Sequence, residues 1–353
     1  MSEEIGSPLV SLDHEALVVR RGARSGVYTV VAVHSTVLGP ALGGCRMTSY
    51  ASAAEAVRDA LRLARGMTYK SAAAGLPLGG GKGVIAIELG VDRDAMLLDL
   101  ADNVESLDGL YITAEDVGTH AADMELIHTR TSHVVGLPRE KGGVGDPSPA
   151  TAAGVEAAMA ACIAKRFGSE DFADRSVAIV GAGAVGERLA RSLAEKGAAL
   201  IISDINEAKR ALAEELHARW SDPESAMIAD VDVLAPCALG GVLDEATIPG
   251  LRCQIVCGSA NNQLSREELA EDLQQRNIIY APDFIANAGG IIHAAEEHAL
   301  TRDPVRVDER VMGIHDVIAE ILEQSESNGR TPLVAAYQLA ARRLEAGRKA
   351  SPA

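Results

Sequence analysis

The stretch Val177–Gly186 reads VAIVGAGAVG, and it decides the fold class of the chain. Its first four residues are apolar and predict a buried strand, which leads directly into a glycine-rich turn. A helix pattern follows over Glu187–Lys196, and a second apolar strand, Ala199–Ser203, ends at Asp204. This succession of strand, glycine turn, helix and strand with a terminal acid is typical of a Rossmann unit.

The three glycines of this turn fall where a dinucleotide requires them. Gly181 permits the tight turn, Gly183 lets the backbone approach a pyrophosphate, and Gly186 lets the helix pack closely on the strand. Asp204 is placed to accept hydrogen bonds from a ribose diol and to repel a 2′-phosphate, which favours NAD over NADP. The alternative is a packing turn without a ligand. The predicted cofactor-binding residues of this unit are Gly181, Ala182, Gly183, Ala184, Val185, Gly186 and Asp204.

Strands and helices alternate on both sides of this unit, which predicts an α/β fold. In the first half, Val27–His34 predicts a strand and Ala51–Met67 a helix. The Gly- and Pro-rich segment Lys141–Pro149 predicts a loop and a hinge between two domains. Three further short apolar strands follow Asp204, and they indicate one open parallel sheet in the second domain.

Composition excludes several classes of function. The formal net charge of −17 and the 3% aromatic content argue against nucleic-acid binding. The five cysteines form no CxxC pair, so we expect neither a zinc site nor disulfides, and reduced thiols fit a cytoplasmic protein. Met1–Val10 lacks the features of a signal peptide, and no apolar run is long enough for a membrane span. We expect no metal, no nucleic acid and no membrane partner.

Two lysines and one aspartate in the first half stand out as candidate catalytic groups. Lys70 lies at a predicted helix end, and Lys82 closes Gly79-Gly80-Gly81-Lys82, a run that we interpret as a loop holding an amine in a narrow slot. A desolvated lysine beside a second cation loses proton affinity and can act as a base. Asp116 ends a predicted strand. One alternative to a catalytic role is that both lysines are ordinary solvated surface residues. Another is that the glycine run forms a phosphate-binding loop, but Gly83 stands where that loop requires Ser or Thr.

Eight motifs occur in one order over about residues 27–297. They are Gly39-Pro-Ala-Leu-Gly-Gly-Cys-Arg46, Gly66-Met-Thr-Tyr-Lys70, Pro77-Leu-Gly-Gly-Gly-Lys82, Tyr111-Ile-Thr-Ala-Glu-Asp-Val-Gly118, Gly145-Asp-Pro-Ser-Pro149, Ala235-Pro-Cys-Ala-Leu-Gly240, Gly258-Ser-Ala-Asn-Asn262 and Ala281-Pro-Asp-Phe-Ile-Ala-Asn-Ala-Gly-Gly290. Together they resemble the leucine/phenylalanine/valine dehydrogenases of the glutamate dehydrogenase superfamily, and leucine dehydrogenase most of all.

The resemblance implies a homo-oligomeric NAD enzyme that oxidatively and reversibly deaminates an apolar L-amino acid to its 2-oxo acid and ammonia. It implies an N-terminal α/β substrate and oligomerisation domain (1–138, joined by C-terminal helices at about 310–353), a Rossmann domain (139–309) and an active site in the cleft. Lys82 and Asp116 match the catalytic residues. The nicotinamide end would lie near Thr151, Cys237, Ala238, Ala260 and Asn262.

By the same resemblance, Lys70 would bind the substrate carboxylate, assisted by Gly43, Gly44 and Asn287. The side-chain pocket would be lined by Leu42, Met67, Ala114, Ile291 and Ala294. These apolar residues oppose a glutamate side chain, and Ala114 favours leucine, valine or isoleucine. Phenylalanine remains an alternative substrate, since one methylene changes discrimination by only about 1–3 kcal/mol. An inactive NAD-binding regulator is the alternative from another class, against which the intact Lys70, Lys82 and Asp116 argue.

Overall fold

A five-stranded mixed sheet, in the order β1-β2-β4-β3-β5, organises the N-terminal half of the computed structural model, which describes residues 13–299 and 304–350. Strands β3, β4 and β5 run parallel to one another, whereas β2 is antiparallel to both β1 and β4. The strands are β1 (Ala16–Arg21), β2 (Tyr28–Ser35), β3 (Ala41–Thr48), β4 (Gly79–Ala86) and β5 (Tyr111–Glu115).

Helices cover both faces of this sheet, which explains why its central strands are buried on both sides. Alanines of α1 (Ala53–Ala73) pack with Val30, Ala32 and Val84 on one face. On the other face, α2 (Arg93–Glu105) and α3 (Ala121–His128) pack over a larger core that includes Tyr111. The helix predicted over Ala51–Met67 is confirmed and extends to Ala73.

A six-stranded, entirely parallel sheet, in the order β11-β10-β9-β6-β7-β8, organises the C-terminal half. The open parallel sheet predicted from the Rossmann unit is therefore confirmed. Its strands are β6 (Ser176–Val180), β7 (Ala199–Ser203), β8 (Arg219–Trp220), β9 (Val233–Pro236), β10 (Ile255–Val256) and β11 (Ile279–Tyr280).

Ten helices accompany this sheet within the described residues. The long helix α4 is central, because α5, α10, α11 and α12 all pack against it. The helices are α4 (Ser148–Phe167), α5 (Ala184–Glu195), α6 (Arg210–Glu215), α7 (Pro223–Met227), α8 (Leu269–Gln275), α9 (Asp283–Ala286), α10 (Gly289–His298), α11 (Pro304–Met312), α12 (Ile314–Asn328) and α13 (Pro332–Ala350).

The chain divides into two compact units by its internal contacts. The first comprises Met1–Ala72, Pro77–Gly143 and Ala346–Ala353, and the second comprises Ala73–Leu76 and Val144–Glu345. The C-terminal helices up to residue 345 thus belong to the second unit, because α11 and α12 pack on α4, whereas the sequence analysis assigned about 310–353 to the first domain. The stretch examined for a signal peptide lies outside the described residues.

No helix within residues 13–299 and 304–350 combines the length and the apolar character needed to cross a membrane.

Candidate active site

Lys82 lies within a strand, which corrects the loop expected for Gly79-Gly80-Gly81-Lys82. Strand β4 begins at Gly79, and Lys82 pairs with Ala32 of β2. The glycines suggested a loop because they usually weaken strands, but in a strand they also mark a close approach of another backbone. The Lys82 side chain is only 6% exposed. A central strand, rather than a flexible turn, therefore holds the amine.

The glycines beside Lys82 are explained by what lies against them. A Cβ on Gly80 would stand 2.0 Å from the backbone nitrogen of Thr68 in α1. On the opposite face, a Cβ on Gly81 would meet the Tyr111 ring at 2.5 Å, and one on Gly83 would lie 2.9 Å from the Tyr111 hydroxyl. Successive side chains of a strand point to opposite faces, so Lys82 shares the α1 face with Gly80. The glycine run lets α1 close onto the strand beside the lysine.

Asp116 is fixed by a tight turn directly after β5. Gly118 adopts a φ of 83°, a left-handed conformation that favours glycine, and the Thr119 N–H donates to the carbonyl of Asp116 at 3.0 Å. The Thr119 hydroxyl donates to the Cys45 carbonyl at 2.8 Å, and the Met47 N–H donates to the Val117 carbonyl at 2.9 Å. These bonds tie the turn to the edge of β3 and set the position of the Asp116 carboxylate.

Lys82 and Asp116 meet in a buried ion pair that continues into a network. Lys82 Nζ lies 2.8 Å from Asp116 Oδ2, and Arg46 Nε donates to the same oxygen at 3.1 Å. Arg46 Nη1 donates to Asp59 Oδ2 on α1 at 3.1 Å, and the Tyr50 hydroxyl donates to that oxygen at 2.8 Å. Two carboxylates and two cations thus alternate across the α1 face of the sheet.

Burial and charge shift the protonation of this pair. Burial lowers the pKa of the Lys82 ammonium below its ordinary value, and Arg46 acts in the same direction, while Asp116 opposes both. Burial would raise the pKa of the Asp116 carboxyl, but the positive charges of Lys82 and Arg46 outweigh it, and the net shift is downward. The site therefore combines an ionised carboxylate with a lysine that loses its proton more readily than a free one.

The glycines of β3 border the same pair. A Cβ on Gly44 would lie 2.2 Å from the Glu115 carbonyl and 2.7 Å from Asp116 Cβ. A Cβ on Gly43 would lie 1.8 Å from the Gly81 carbonyl and 3.3 Å from Met67 Cγ. The first unit therefore brings Gly43, Gly44, Met67, Lys82 and Asp116 together.

The remaining candidates of the first unit fall on the surrounding elements. Lys70 lies half-buried in the last turn of α1, which places a cation at the negative end of the helix dipole. Ala114 of β5 pairs with Gly44, and Leu42 of β3 is buried. Among the described residues there is no group of three His, Cys, Asp or Glu side chains that could hold a metal ion.

The glycine-rich turn of the second unit has the geometry of an anion cradle. Gly181 has a φ of 107°, and a Cβ on Gly186 would stand 1.9 Å from the Gly181 carbonyl, so both positions require glycine. A Cβ on Gly183 would point into open space, which leaves room for a ligand against the backbone. No side chain caps α5 at Gly183, so the N–H groups of Ala184 and Val185 remain for an anion.

A groove of about 860 Å³ extends from this turn. Its apolar wall includes Ile205 and Leu239, which are 92% and 75% exposed, as expected of residues that a flat aromatic ligand would cover. The charged residues that line it are Asp204, Glu224 and Asp244, and no lysine or arginine of the described chain is among its lining residues. The lining of the groove is therefore apolar and acidic.

Asp204 also accepts two backbone hydrogen bonds, which the sequence analysis did not predict. Its Oδ2 accepts the Ala182 N–H at 2.7 Å, and its Oδ1 accepts the Asn206 N–H at 2.8 Å. The Ala182 N–H is therefore engaged within the protein. Each carboxylate oxygen can accept a further hydrogen bond, so the ribose role remains open to Asp204.

The other cofactor candidates gather near the ends of β9 and β10. A Cβ on Gly181 would stand 2.7 Å from Ala238 Cβ, and a Cβ on Gly186 would meet the Cys237 side chain at 3.4 Å. Ala260 follows β10 and donates its N–H to the Pro236 carbonyl at 3.0 Å, and Asn262 adopts a φ of 51°. Carboxyl ends of parallel strands are the usual ligand edge of such a sheet.

Asn287 carries a buried acceptor that lacks a partner within the described residues. Its Nδ2 donates to the Ser259 carbonyl at 3.1 Å and to Asn261 Oδ1 at 2.8 Å, whereas its Oδ1 makes no hydrogen bond. A buried polar atom left unpaired costs free energy, so a ligand that donates to it would be favoured.

The last candidates lie on the two helices next to Asn287. Thr151 lies in the first turn of α4, 3.1 Å from where a Cβ on Gly290 would stand. Ile291, which is buried, and Ala294, which is partly exposed, follow on α10. The second unit therefore brings Thr151 and the start of α10 together.

Sequence reasoning missed Arg46, Asp59 and Tyr50 as site residues. Arg46 stood at the end of a quoted motif without a role. The available signal was its alternation with Gly44, which places both on one face of β3, and the presence of a charged residue inside a buried strand.

Comparisons with known proteins agree with this geometry. Residues 15–133 match the model of the Glu/Leu/Phe/Val dehydrogenase dimerisation domain, and residues 201–351 match that of the glutamate/leucine/phenylalanine/valine dehydrogenases. The chain belongs to this dehydrogenase family. It is therefore an oxidoreductase that acts on the CH–NH2 group of amino acids, and the resemblance noted from the eight motifs is confirmed.

Named members of the family are similar over nearly the whole chain. The leucine dehydrogenase of Thermoactinomyces intermedius is 44% identical over 340 residues, which cover 96% of this chain and 92% of that protein. The valine dehydrogenase of Streptomyces albus is 41% identical and covers 95% of this chain and 93% of its own. The L-tryptophan dehydrogenase structure from Nostoc punctiforme has a TM-score of 0.86 at 35% identity, covering 97% and 99% of the two chains.

Proposed function

We propose that this dehydrogenase uses NAD to deaminate a branched-chain L-amino acid, reversibly, to its 2-oxo acid and ammonia. The observation that carries the proposal is the buried pair of Lys82 Nζ and Asp116 Oδ2, 2.8 Å apart, in a member of an amino-acid dehydrogenase family. NAD supplies the hydride acceptor when it is bound. The protein's own residues must bind the amino acid, exclude water until it is needed, and move protons.

The ion pair is suited to the proton transfers of the reaction. Once the substrate has become an imine, a water molecule must attack its carbon and give up a proton. The neutral amine of Lys82, whose pKa burial lowers, is available to accept that proton. Asp116 can exchange protons with the amino nitrogen as the carbinolamine loses ammonia. When Lys82 holds the extra proton, the resulting ammonium stabilises negative charge on the substrate oxygen.

Substrate recognition is assigned to Lys70, Gly44 and Asn287. Lys70 supplies a point charge for the substrate carboxylate, and the Gly44 backbone assists it. Because the Asn287 amide nitrogen is already engaged, we assign its unpaired Oδ1 to a donor such as the substrate amino group. Gly43 and Met67 complete this set.

The preference for NAD is supported by the groove beside Gly183. Its three carboxylates, Asp204, Glu224 and Asp244, would repel a 2′-phosphate, and no cation of the described chain lines it to compensate. The free N–H groups at the start of α5 suit the pyrophosphate. Thr151, Cys237, Ala238, Ala260 and Asn262 are assigned to the nicotinamide end.

The side-chain preference is supported by apolar residues of modest size. The residues assigned to the substrate side chain are Leu42, Met67, Ala114, Ile291 and Ala294. The similar proteins named for leucine and valine favour an aliphatic substrate, whereas the similar structure named for tryptophan makes an aromatic amino acid the competing candidate. The match of residues 15–133 to a dimerisation domain supports a homo-oligomer.

A panel of amino acids tests the proposal. The purified protein is mixed with NAD or NADP and with leucine, valine, isoleucine, phenylalanine, tryptophan or glutamate. The formation of NADH or NADPH is followed by absorbance. We expect kcat/KM with NAD to be highest for a branched-chain substrate, by roughly tenfold or more over the aromatic ones. The absence of NADH formation with every amino acid would overturn the function, and an aromatic optimum would overturn the substrate class.

A further inference from the structure

We infer that Arg46 is a positioning residue of the reaction, which holds the Asp116 carboxylate against Lys82 and connects it to an anchor on α1. The inference rests on the proposed function, because it concerns the same proton transfers. Arg46 acts through Asp116 and is not assigned any contact with substrate.

Arg46 contacts two carboxylates, Asp116 and Asp59. Its Nε donates to Asp116 Oδ2 at 3.1 Å, the oxygen that also receives Lys82 Nζ at 2.8 Å. Its Nη1 donates to Asp59 Oδ2 at 3.1 Å. A guanidinium is a rigid planar fork, so fixing one end on Asp59 also fixes the orientation of the end that faces Asp116. The Arg46 side chain is 20% exposed, so solvent screens these contacts only in part.

The anchor, Asp59 on α1, is itself held in place by other contacts. Asp59 accepts the Tyr50 hydroxyl at 2.8 Å on Oδ2, the oxygen that also receives Arg46. Arg62 is 59% exposed and contacts the other oxygen, Oδ1, so solvent screens that pair and it contributes little to the anchor. The Asp59 side chain is 18% exposed, and its backbone belongs to α1, whose alanines pack on the sheet. The position of Asp116 relative to Lys82 therefore depends on two supports, the turn after β5 and the chain of contacts from α1 through Arg46.

The positive charge of Arg46 affects the pKa values of both Lys82 and Asp116. Arg46 lowers the pKa of Lys82 by repelling a second positive charge, and it lowers the pKa of Asp116 by stabilising the carboxylate. Removing Arg46 should raise both values, so that Lys82 becomes a usable base only at higher pH. Other ionisable groups that interact electrostatically with the pair are Cys45 from β3, Tyr111 from β5 and Tyr50, and Asp59 from α1 interacts with Arg46.

The test compares Arg46→Gln with Arg62→Gln in the full-length protein. Both variants remove an arginine that contacts Asp59, but Arg62 does not contact Asp116 and is 59% exposed. For Arg46→Gln we expect the apparent pKa in the kcat/KM profile of deamination to rise by about one unit or more. At neutral pH, kcat/KM should fall by up to about 10²-fold, the cost of a reacting group misplaced by about 1 Å. Arg62→Gln should keep the wild-type profile.

Two further measurements keep the outcome decisive. Arg46→Lys retains the charge but cannot bridge two carboxylates, so its kcat should fall while its apparent pKa stays near the wild type. A 13C NMR titration of the Lys82 side chain, assigned with Lys82→Arg, reads the lysine pKa without any turnover. It should rise in Arg46→Gln.

The outcomes separate the two claims. A wild type that forms no NADH with any amino acid defeats the proposed function, and the NMR titration still tests the inference. An active wild type whose profile is unchanged in Arg46→Gln, or a normal kcat in Arg46→Lys, overturns the role of Arg46. If Arg46→Gln does not fold, the kcat of Arg46→Lys decides.

Discussion

Lys82 is a lysine in a setting that most lysines avoid. Buried lysines are rare because removing an ammonium from water costs several kcal/mol, and a nearby carboxylate offsets part of that cost. Asp116 provides this compensation at 2.8 Å, and the chain continues to Arg46 and Asp59. A structural ion pair would serve as well with arginine, so the choice of lysine is what distinguishes proton transfer from simple support.

Replacing Lys82 tests this distinction. We expect Lys82→Ala to lower kcat by about 10²–10⁴-fold or more, because general-base catalysis alone has that value and the ammonium also stabilises charge. Lys82→Arg should be nearly as poor, since arginine does not release its proton. In the wild type, deamination should increase with pH through an apparent pKa below that of free lysine, because burial lowers the pKa of Lys82. Steady-state kinetics over pH measures all three.

The control for Lys82 is ligand binding. Both variants should still bind NADH, which fluorescence titration can follow, because the residues assigned to the cofactor belong to the second unit and Lys82 belongs to the first. A Lys82→Arg enzyme with near-normal kcat would show that the site needs charge alone, and the assignment of Lys82 as a base would then be abandoned.

Replacing Asp204 tests the cofactor choice. Asp204→Asn removes the charge and keeps the side-chain size, but its single carbonyl oxygen can accept only one of the two N–H groups, those of Ala182 and Asn206, that the carboxylate accepts. We expect the ratio of kcat/KM for NADP to that for NAD to rise by roughly tenfold or more, because like charges about 4 Å apart repel by a few kcal/mol near a protein surface.

Asp222→Asn is the matched control for this change. Asp222 caps α7 by accepting the Ser225 N–H at 2.9 Å and is not among the residues that line the groove, and asparagine caps a helix as well as aspartate does. Its cofactor ratio should stay at the wild-type value. An equal shift in both variants would indicate that net charge, rather than the ribose position, sets the preference.

At the scale of elements, strand β3 brings a backbone almost into contact with the Asp116 turn. Gly44→Ala would place a methyl group 2.2 Å from the Glu115 carbonyl and 2.7 Å from Asp116 Cβ. Overpacking of this kind costs about 1–3 kcal/mol in the free energy of unfolding, and here it also displaces Asp116. We expect a lower midpoint in chemical denaturation together with a lower kcat.

Gly66→Ala provides the contrast within α1. A Cβ on Gly66 would meet nothing within 4 Å, so alanine should raise the free energy of unfolding by about 0.5–1 kcal/mol through helix propensity. If Gly44→Ala unfolded at the same denaturant concentration as the wild type and kept its kcat, the close approach of β3 to the turn would matter neither for stability nor for the position of Asp116.

At the scale of the whole molecule, the features that the sequence predicted are those that are local in the chain. The Rossmann unit lies within a single short stretch, and its turn requires glycine at positions 181 and 186. The strand, the helix and the parallel sheet could therefore be predicted from that stretch. The presence of α1 and of the strand before Asp116 also followed from local patterns, but α1 continues past the predicted end at Met67 to Ala73 and so includes Lys70.

Features set by distant contacts did not follow. Strand β3, with Gly43 and Gly44, has weak strand propensity and is stabilised by its pairing with β4 and β5. The bond between Arg46 and Asp116 joins residues 70 positions apart, and α11 and α12 belong with α4 through packing that no pattern within those helices encodes. Propensity describes a segment, whereas these features depend on which segments meet.

The order β1-β2-β4-β3-β5 also has a consequence for synthesis of the chain. The hairpin of β1 and β2 is complete as soon as it leaves the ribosome, but β3 emerges before both of its neighbours and cannot pair with either. It must wait, with its apolar face uncovered, until α1 and β4 have been translated, and β5 closes the sheet last. The segment that carries Gly43, Gly44 and Arg46 therefore stays unpaired in the nascent chain until β4 emerges, and an unpaired strand with an exposed apolar face is open to aggregation during that interval.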